Sequence, residues 1–304
     1  MLENIIIPMN CGEQNKALVE HVASLGIPHF THVTLLGIMC SDSTNNQFAD
    51  PVLWNTVRCE SQTKLSKYGK YLNSRNIATT IEIIDASSIE EVFNYVQNIR
   101  ADLIVTTINN SGDWLVGGLL KHSKIPLLVV HEHVARLNYK NILVPLDGSQ
   151  RAESGLNLGL VLAKKLNAQL HLGHIVQQPE MPRKNHMASD DLHMVQHIIK
   201  RNYEEAELYL QQIASNSVSD IHIHVSVEEK TTSGLAKIIA EQNIDLLVLS
   251  AHGYAGDPES TLGSVADSLL RHSHVPTVIL QDLPAHIETT QPKLAPTIQM
   301  GHTN

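Results

Sequence analysis

Short apolar runs alternate with longer amphipathic segments along the whole chain, and this alternation predicts an α/β protein. ILVPL (142–146) is typical of a buried strand, whereas IHIHVSV (221–227) alternates apolar and polar positions as a half-buried strand does. Ser149 can cap the helix that follows the first of these strands. The predicted strands are 4–8, 33–39, 79–84, 102–107 and 126–131 in the first half and 142–146, 168–176, 221–227, 245–250 and 276–281 in the second, and the predicted second-half helices are 152–166, 190–215, 231–242 and 263–273.

The two halves of the chain repeat one another. ENIIIPMN (3–10) and KNILVPLD (140–147) match in identity or apolar class at six of eight positions, at an offset of 137 residues. The repeat continues in ADLIVTT (101–107) and IDLLVLS (244–250). Strands that alternate with helices form parallel sheets with helices on both faces. The sequence therefore predicts two tandem doubly wound modules, each with a five-stranded, mainly parallel sheet.

Length and composition agree with two modules. The 304 residues, 42% of them hydrophobic, exceed one ordinary core and fit two domains of roughly 140 residues each. We predict a first module over 1–135 and a second over 138–282, packed against each other because the polar connection at 131–139 is short. Residues 283–304 contain three prolines and no sustained apolar period, so we predict a flexible tail there.

Charge excludes two classes of partner. The chain has 22 Lys+Arg against 31 Asp+Glu, which gives a net charge of −9, and it contains no run of basic residues. A nucleic-acid or anionic-membrane surface is therefore not expected. The N-terminus has no basic leader and no apolar run is long enough to span a bilayer, so we expect a cytoplasmic protein.

Cysteines and histidines do not point to a metal centre. The three cysteines lack CxxC spacing, which disfavours a disulfide framework and a structural zinc site. Of the 18 histidines, the pairs His193/His197 and His222/His224 have spacings that could converge on one face. No acidic or cysteine partner lies near either pair in sequence, so we interpret them as solvated faces rather than metal ligands.

A candidate anion site lies where the strand 245–250 enters a glycine-bearing loop that opens onto a helix at Gly263-Ser264. The unpaired N–H groups and the dipole of a helix N-terminus favour an anion there. Ligands of open parallel sheets bind beyond the carboxyl ends of strands, so the remaining candidates come from those ends. We predict Asp147 as an acceptor for ribose hydroxyls and Ile175 as an apolar wall for a base. The other strand-end candidates are Pro145, Leu249, Ser250, His252 and Gly253.

Each of these residues also has a structural interpretation. Asp147-Gly148-Ser149 is a common turn and helix cap, and Ser264 could act as a cap alone. His252 could serve only to hold the loop, and Gly253 could supply a positive φ. Taken together, at the strand ends of one sheet, the residues favour nucleotide binding.

These residues carry a resemblance to a known family. The repeated module resembles the universal stress protein family, and two modules in one chain resemble its tandem form, over residues 2–282. ATP-binding members carry Gly-x-x-Gly, nine residues, then Gly-Ser/Thr, and here the motif reads Ser250-Ala251-His252-Gly253, residues 254–262, then Gly263-Ser264. The resemblance implies an adenine nucleotide alpha hydrolase-like fold and an ATP site, with Mg²⁺, to which Val265 also contributes.

Two departures from the family pattern bear on this expectation. Ser250 replaces the first glycine, where a Cβ would crowd the ligand and a positive φ would be costly. In the first half, the repeat offset rises from 143 to 150 across the loop, so seven residues are missing. Asn110 and Asp113-Trp114 stand in place of the glycines, and Asn10 in place of Asp147. We predict that the first half has no ATP site and serves structure, dimerisation or regulation.

The sequence thus predicts a cytoplasmic stress-response protein that binds ATP, with Mg²⁺, in its second half. The alternative is a nucleotide-free interaction scaffold, favoured by Ser250 and by the altered first half. The chain has no G-x-S-x-G, Walker A or H-E-x-x-H motif, so we predict no catalytic residue and at most slow ATP hydrolysis. The resemblance also implies that 127–130 pairs with 277–280 between the modules, and that two chains form a homodimer.

Overall fold

The computed structural model describes residues 2–10, 15–26, 28–40, 51–108, 114–131, 137–179, 189–217, 220–253 and 261–281. The predicted tail (283–304) and most of the inter-module connection lie outside these ranges. Strands and helices alternate through the described residues as the sequence predicts. They are β1 (Asn4–Asn10), α1 (Lys16–Leu25), β2 (His32–Cys40), α2 (Pro51–Ser74), β3 (Ala78–Ala86), α3 (Ile89–Asn98), β4 (Leu103–Ile108), α4 (Trp114–His122), β5 (Leu127–His131), β6 (Asn141–Pro145), α5 (Gln150–Leu166), β7 (Gln169–Gln177), α6 (Ser189–Ser215), β8 (Ile221–Glu228), α7 (Thr231–Glu241), β9 (Leu246–Ser250), α8 (Ser264–His272) and β10 (Thr277–Leu280).

All of these strands belong to one ten-stranded sheet, in the order β3-β2-β1-β4-β5-β10-β9-β6-β7-β8. Eight of its nine pairs of neighbouring strands are parallel, and they form two sets of four that repeat the same doubly wound order on either side of the β5–β10 contact. Strands β5 and β10 pair antiparallel, with Val278 opposite Leu128. The predicted fold of two tandem five-stranded modules is confirmed, and so is the predicted pairing of 127–130 with 277–280.

The helices cover both faces of the sheet. On one face, α1, α2, α5 and α6 pack in an apolar cluster that is continuous across the two modules through Leu128 of β5 and Val278 of β10. On the other face, α3 and α4 cover the first module and α7 and α8 cover the second. The predicted cap of α5 is present, because the Ser149 hydroxyl accepts a hydrogen bond from Ala152 N at 3.2 Å.

In each module, an aspartate just before the fourth strand accepts hydrogen bonds from backbone N–H groups at the start of the first strand. Asp245 Oδ2 accepts the N–H of Lys140 at 2.8 Å, and its Oδ1 accepts the N–H of Asn141 at 2.9 Å. In the first module, Asp102 Oδ2 accepts the N–H groups of Glu3 and Asn4 at 3.0 and 3.1 Å. The repeat seen in the sequence therefore extends to the hydrogen bonds that position the first strands.

A buried polar contact joins the modules. Tyr139, just before β6, and His21 of α1 are both buried, and the Tyr139 hydroxyl lies 2.5 Å from His21 Nδ1. Burial lowers the pKa of His21 to about 4, and burial also raises the pKa of Tyr139. The pair is therefore neutral near pH 7, as its apolar surroundings require. No helix among the described residues combines the length and apolarity needed to cross a bilayer.

We expect Asp245→Ala to destabilise the protein more than Asp102→Ala. Asp245 is only 7% exposed, so its removal leaves two backbone N–H groups without an acceptor where water has little access. The expected loss in free energy of unfolding is about 2 to 3 kcal/mol for Asp245→Ala and about 1 kcal/mol for the less buried Asp102. Urea unfolding followed by circular dichroism measures both, and equal losses would contradict the burial argument.

Candidate functional site

A cleft of about 660 Å³ opens at the carboxyl ends of β6, β7 and β9. The first turns of α7 and α8 form its remaining walls. All of the residues that the sequence predicts as candidate contacts line this cleft: Pro145, Asp147, Ile175, Leu249, Ser250, His252, Gly253, Gly263, Ser264 and Val265. The structure thus brings together residues that are up to 120 positions apart in the sequence.

The end of β6 and the loop after β9 approach each other closely. Asp147 Oδ1 accepts the N–H of Ser149 at 3.0 Å, and Gly148 between them has a φ of +81°. A Cβ at Gly253 would collide with Oδ2 of the same carboxylate. Gly253 itself does not have a positive φ, so the interpretation that it supplies one is wrong. Glycine is required there because the Asp147 carboxylate leaves no space for a side chain.

A backbone hydrogen bond joins the residues just after β9 to the residue at the start of α8. Gly263 N donates to Ala251 O at 2.7 Å, and a Cβ on Gly263 would lie 3.3 Å from that carbonyl oxygen. Gly263 is also the N-cap of α8, and glycine has no side chain with which to cap the helix. The first-turn N–H groups, which have no intrahelical acceptor, therefore belong to a helix terminus whose first residues, Ser264, Val265 and Ala266, line the cleft.

Ser250 adapts to its position without backbone strain. It is the last residue of β9 and is absent from the described non-glycine residues with positive φ. Its hydroxyl donates to the His252 carbonyl oxygen at 2.8 Å. The expected cost of a positive φ at Ser250 is therefore wrong, because the chain is still extended at this point and turns only afterwards.

The end of the cleft away from α8 was not predicted from the sequence. Lys230, Thr231 and Thr232, where β8 leads into α7, line it together with His174 and Gln177 of β7. His174 Nδ1 donates to the Leu146 carbonyl oxygen at 2.8 Å, which links the ends of β6 and β7. The rule that ligands meet strand ends could have identified these residues, had it been applied to the third strand of the module as well.

A hydrogen bond joins α5 and α6 close enough to the cleft for the Asp147 charge to act on it. The Tyr209 hydroxyl of α6 donates to Glu153 Oε1 of α5 at 3.2 Å. Burial, followed by the negative charges of Glu153 and Asp147, raises the pKa of Tyr209 well above its usual value. Tyr209 therefore remains a hydrogen-bond donor through the physiological pH range.

A profile of the universal stress protein family matches residues 138–281, the segment that contains the whole cleft. Residues 138–281 therefore form a universal stress protein domain. A putative universal stress protein of Staphylococcus aureus is 26% identical over 166 residues, which cover 53% of this chain and 95% of that protein.

Solved universal stress proteins extend the likeness to both modules. One from Archaeoglobus fulgidus matches with a TM-score of 0.64 and 15% identity, covering 92% of this chain and 98% of that one. A putative one from Pseudomonas aeruginosa matches with a TM-score of 0.62 and 14% identity, covering 92% and 93%. At these identities the likeness establishes the fold of the two-module chain and nothing about its ligand.

The corresponding loop of the first module is only partly described. Asn110 and Asp113 lie outside the described residues, as do residues 254–260 of the second loop and the side chain of Trp114. Asn10 is the last residue of β1, and its counterpart Asp147 comes two residues after the end of β6. The absence of an ATP site in this module therefore stays a prediction.

The histidine pairs have different surroundings. His193 and His197 are exposed on α6, whereas His222 and His224 of β8 stack against His171 of β7. In the described part of the chain, no group of three or more histidine, cysteine or acidic side chains is arranged to hold a metal ion. The interpretation of His222 and His224 as a solvated face is corrected, because a third histidine on the neighbouring strand packs on them.

We expect Gly253→Ala to destabilise the second module by about 1 to 3 kcal/mol. The new methyl group would force the Asp147 carboxylate to turn away from Ser149 N, or would separate β6 from the loop. In an Asp147→Ala background the same change should cost less than about 0.5 kcal/mol, because the collision is gone.

Gly117→Ala is the matched control for this cycle. A Cβ at Gly117, in α4, would meet nothing within 4 Å, so the change should stabilise the helix by up to about 1 kcal/mol. Unfolding free energies from urea titrations provide all the values. Equal costs of Gly253→Ala in the two backgrounds would show that Asp147 is not the obstacle.

Proposed function

We propose that the C-terminal module, residues 138–282, binds ATP with Mg²⁺ in the cleft and that the protein acts as a cytoplasmic stress-response regulatory protein. The observation that carries this proposal is the N-terminus of α8, whose N-cap Gly263 has no side chain and whose first residues line the cleft beside Gly253. The first module, residues 1–135, has no ATP site in this proposal and has a structural or regulatory role. The family membership of residues 138–281 supports the assignment to the stress response.

The phosphate groups would lie at the start of α8. The N–H groups of its first turn have no carbonyl acceptor within the helix, and the helix dipole adds a partial positive charge. Gly263 at the N-cap has no side chain to compete for these donors, and Ser264 lines the cleft beside them. A polyphosphate chain needs many donors in a small region, and this is the part of the cleft that provides them.

The nucleoside would lie across the ends of β6 and β7. Asp147 offers carboxylate oxygens to ribose hydroxyls, and Ile175 offers an apolar surface to the base. The cleft volume of about 660 Å³ falls within the range of about 300 to 1,000 Å³ that is usual for small-molecule sites. Size and chemistry are therefore both compatible with a nucleotide.

The donor set also fits Mg²⁺. Asp147 is the carboxylate among the described residues that line the cleft. Mg²⁺ bound with a nucleotide takes one or two carboxylates in addition to phosphate oxygens and water. Asp147 is therefore the residue that would hold the ion, which would screen the phosphates from its negative charge.

A second candidate function, an interaction scaffold, is favoured by α6. The helix packs on the sheet through Ala206 and Leu210, whereas its N-terminal part exposes Leu192, Met194 and Ile198. Met194 is 66% exposed. A scaffold of this kind would retain its partners in an Asp147→Ala variant, whereas an ATP-dependent one would lose them.

We expect Ser264→Asp to lower ATP affinity at least tenfold while the fold is retained. A carboxylate in the first turn of α8 would face the phosphates and repel them. The same carboxylate interacts favourably with the helix dipole, so the variant should be as stable as the wild type. Isothermal titration calorimetry measures the affinity, and thermal unfolding measures the stability.

Ser88→Asp is the matched control, because Ser88 caps α3 of the first module by accepting a hydrogen bond from Glu91 N. Aspartate caps helices as well as serine does, and the added charge lies in the module without a proposed site. ATP affinity should not change in this variant. An absence of ATP binding by the wild-type protein would refute the proposal.

A further inference from the structure

Three histidine rings are stacked on one face of the sheet, at its β8 edge. His171 of β7 lies opposite His222 of β8 in the strand register, and Gly173 lies opposite His224. The ring centroid of His171 is 5.0 Å from that of His222 and 5.2 Å from that of His224. Because Gly173 has no side chain, His224 can lean towards His171, and its Nε2 lies 3.0 Å from His171 Nδ1.

Two ring nitrogens of the stack have no partner, among the described residues, that could share an added proton. His171 is 4% exposed. The Nε2 atoms of His171 and His222 are buried and have no hydrogen-bond partner within the described part of the chain. A proton on either atom would be neither solvated nor shared with an acceptor, and a second imidazolium would repel the first.

Few charged groups face the three rings. On β8 itself, Glu228 is paired with Lys237 of α7 at 3.6 Å. Glu241, at the end of α7, is the carboxylate that acts on His224. Around Gly173, by contrast, β6 and α7 contribute the apolar side chains Leu143, Leu235 and Ile238. At most one uncommitted carboxylate is therefore available to offset three positive charges.

The same elements form one wall of the cleft. Ile175 of β7 and Thr231 and Thr232 of α7 line it, and so does Leu235, whose Cδ2 lies 3.7 Å from the position of a Cβ on Gly173. The cleft lies against the first turns of α7, and the strand positions beside the histidine stack lie against the later part of the same helix. A shift of α7 away from the stack would widen the cleft at that wall.

We propose that His171, His222 and His224 form an acid-sensitive contact whose protonation releases β8 and α7 from β7 and thereby weakens ligand binding in the cleft. The first part of the proposal concerns the fold alone, and the second part rests on the proposed nucleotide site. A stress protein with this contact would release its ligand as the surrounding pH falls.

The direction of the effect follows from proton linkage. Burial, followed by the charges of His224 and His222, lowers the pKa of His171 from 6.5 to about 4, and the pKa of His224 is also lowered. The closed form is therefore stable above pH 6.5, and the opened form, which binds protons more readily, gains population as the pH falls towards 4. For His171 alone, the opening equilibrium should rise about thirtyfold by pH 5.

Native-state hydrogen exchange of the wild-type protein at pH 7.5 and pH 5.0 tests the contact directly. Protection factors, corrected for the pH dependence of intrinsic exchange, should fall at least tenfold in β8 and α7. Strand β3 is the internal control, because it is the equivalent edge strand of the first module and contains no histidine. Equal changes in β8 and β3 would overturn the proposal, whether or not the protein binds a nucleotide.

Substitutions separate the contact from other effects of acid. The single variants His171→Gln and His224→Gln each remove one titrating ring of the stack. In each, the loss of protection in β8 between pH 7.5 and pH 5.0 should exceed the loss in β3 by less than threefold. His197→Gln, on the exposed side of α6, should leave it unchanged. Persistence of the full effect in both stack variants would show that other groups cause it. If neither variant folds, the wild-type comparison of β8 with β3 still decides.

ATP titrations at both pH values test the coupling to the cleft. Between pH 7.5 and pH 5.0 the wild type should lose affinity at least fivefold more than His171→Gln, a comparison that cancels protonation of ATP itself. If the wild type and His171→Gln lose equal affinity for ATP while β8 still opens at pH 5.0, the coupling to the cleft is refuted. The acid-sensitive contact itself would then stand. An absence of ATP binding at pH 7.5 would instead refute the proposed function, and the coupling with it.

Discussion

The antiparallel pairing of β5 with β10 is the constraint on which the rest of the architecture depends. Each module alone would expose the edge of its last strand, and here each of those strands covers the other. Because all strands within a module are parallel, one antiparallel contact reverses the whole second module relative to the first. Equivalent helices then fall on the same face, so that one apolar cluster spans the seam.

This reversal also separates the sites of the two modules. The carboxyl ends of β6, β7 and β9 lie at one edge of the sheet, and those of β1, β2 and β4 lie at the opposite edge. A change in the loop after β4 therefore cannot act on the cleft by direct contact. The carboxyl end of β4, where the first module is predicted to lack an ATP site, therefore lies away from the cleft of the second module.

Within the second module, the cleft exists because two neighbouring strands separate. β6 and β9 are paired only at Ile142–Leu246 and Leu143–Leu247. Beyond these positions the chain after β6 turns through Gly148, whereas β9 continues to Ser250. The crevice lies where the strand order reverses, which is the position that the topology of doubly wound sheets predicts for a ligand.

Periodicity and the internal repeat were sufficient to predict the elements to within about two residues and to place ten residues at one cleft. The elements follow from local sequence patterns, and the position of the cleft follows from the rule that ligands of doubly wound sheets bind at the carboxyl ends of the strands. The role of Gly253 was not predictable, because a glycine needed for a positive φ and one needed for a close approach have the same sequence signature. His171 was missed as the partner of His222 and His224 for a related reason: the pairing depends on the register of β7 and β8, which the sequence does not specify.

Ser250 stands where the family motif has its first glycine, yet it ends β9 without backbone strain. Its hydroxyl donates to the His252 carbonyl oxygen, and Gly263 N donates to the Ala251 carbonyl oxygen. Two adjacent carbonyl groups are thus satisfied within the described part of the loop. In the proposed function, an anion at the start of α8 would meet backbone donors that these contacts hold in place, so less conformational entropy would be lost on binding. The serine therefore stabilises the conformation that the departure from the family motif was expected to disturb.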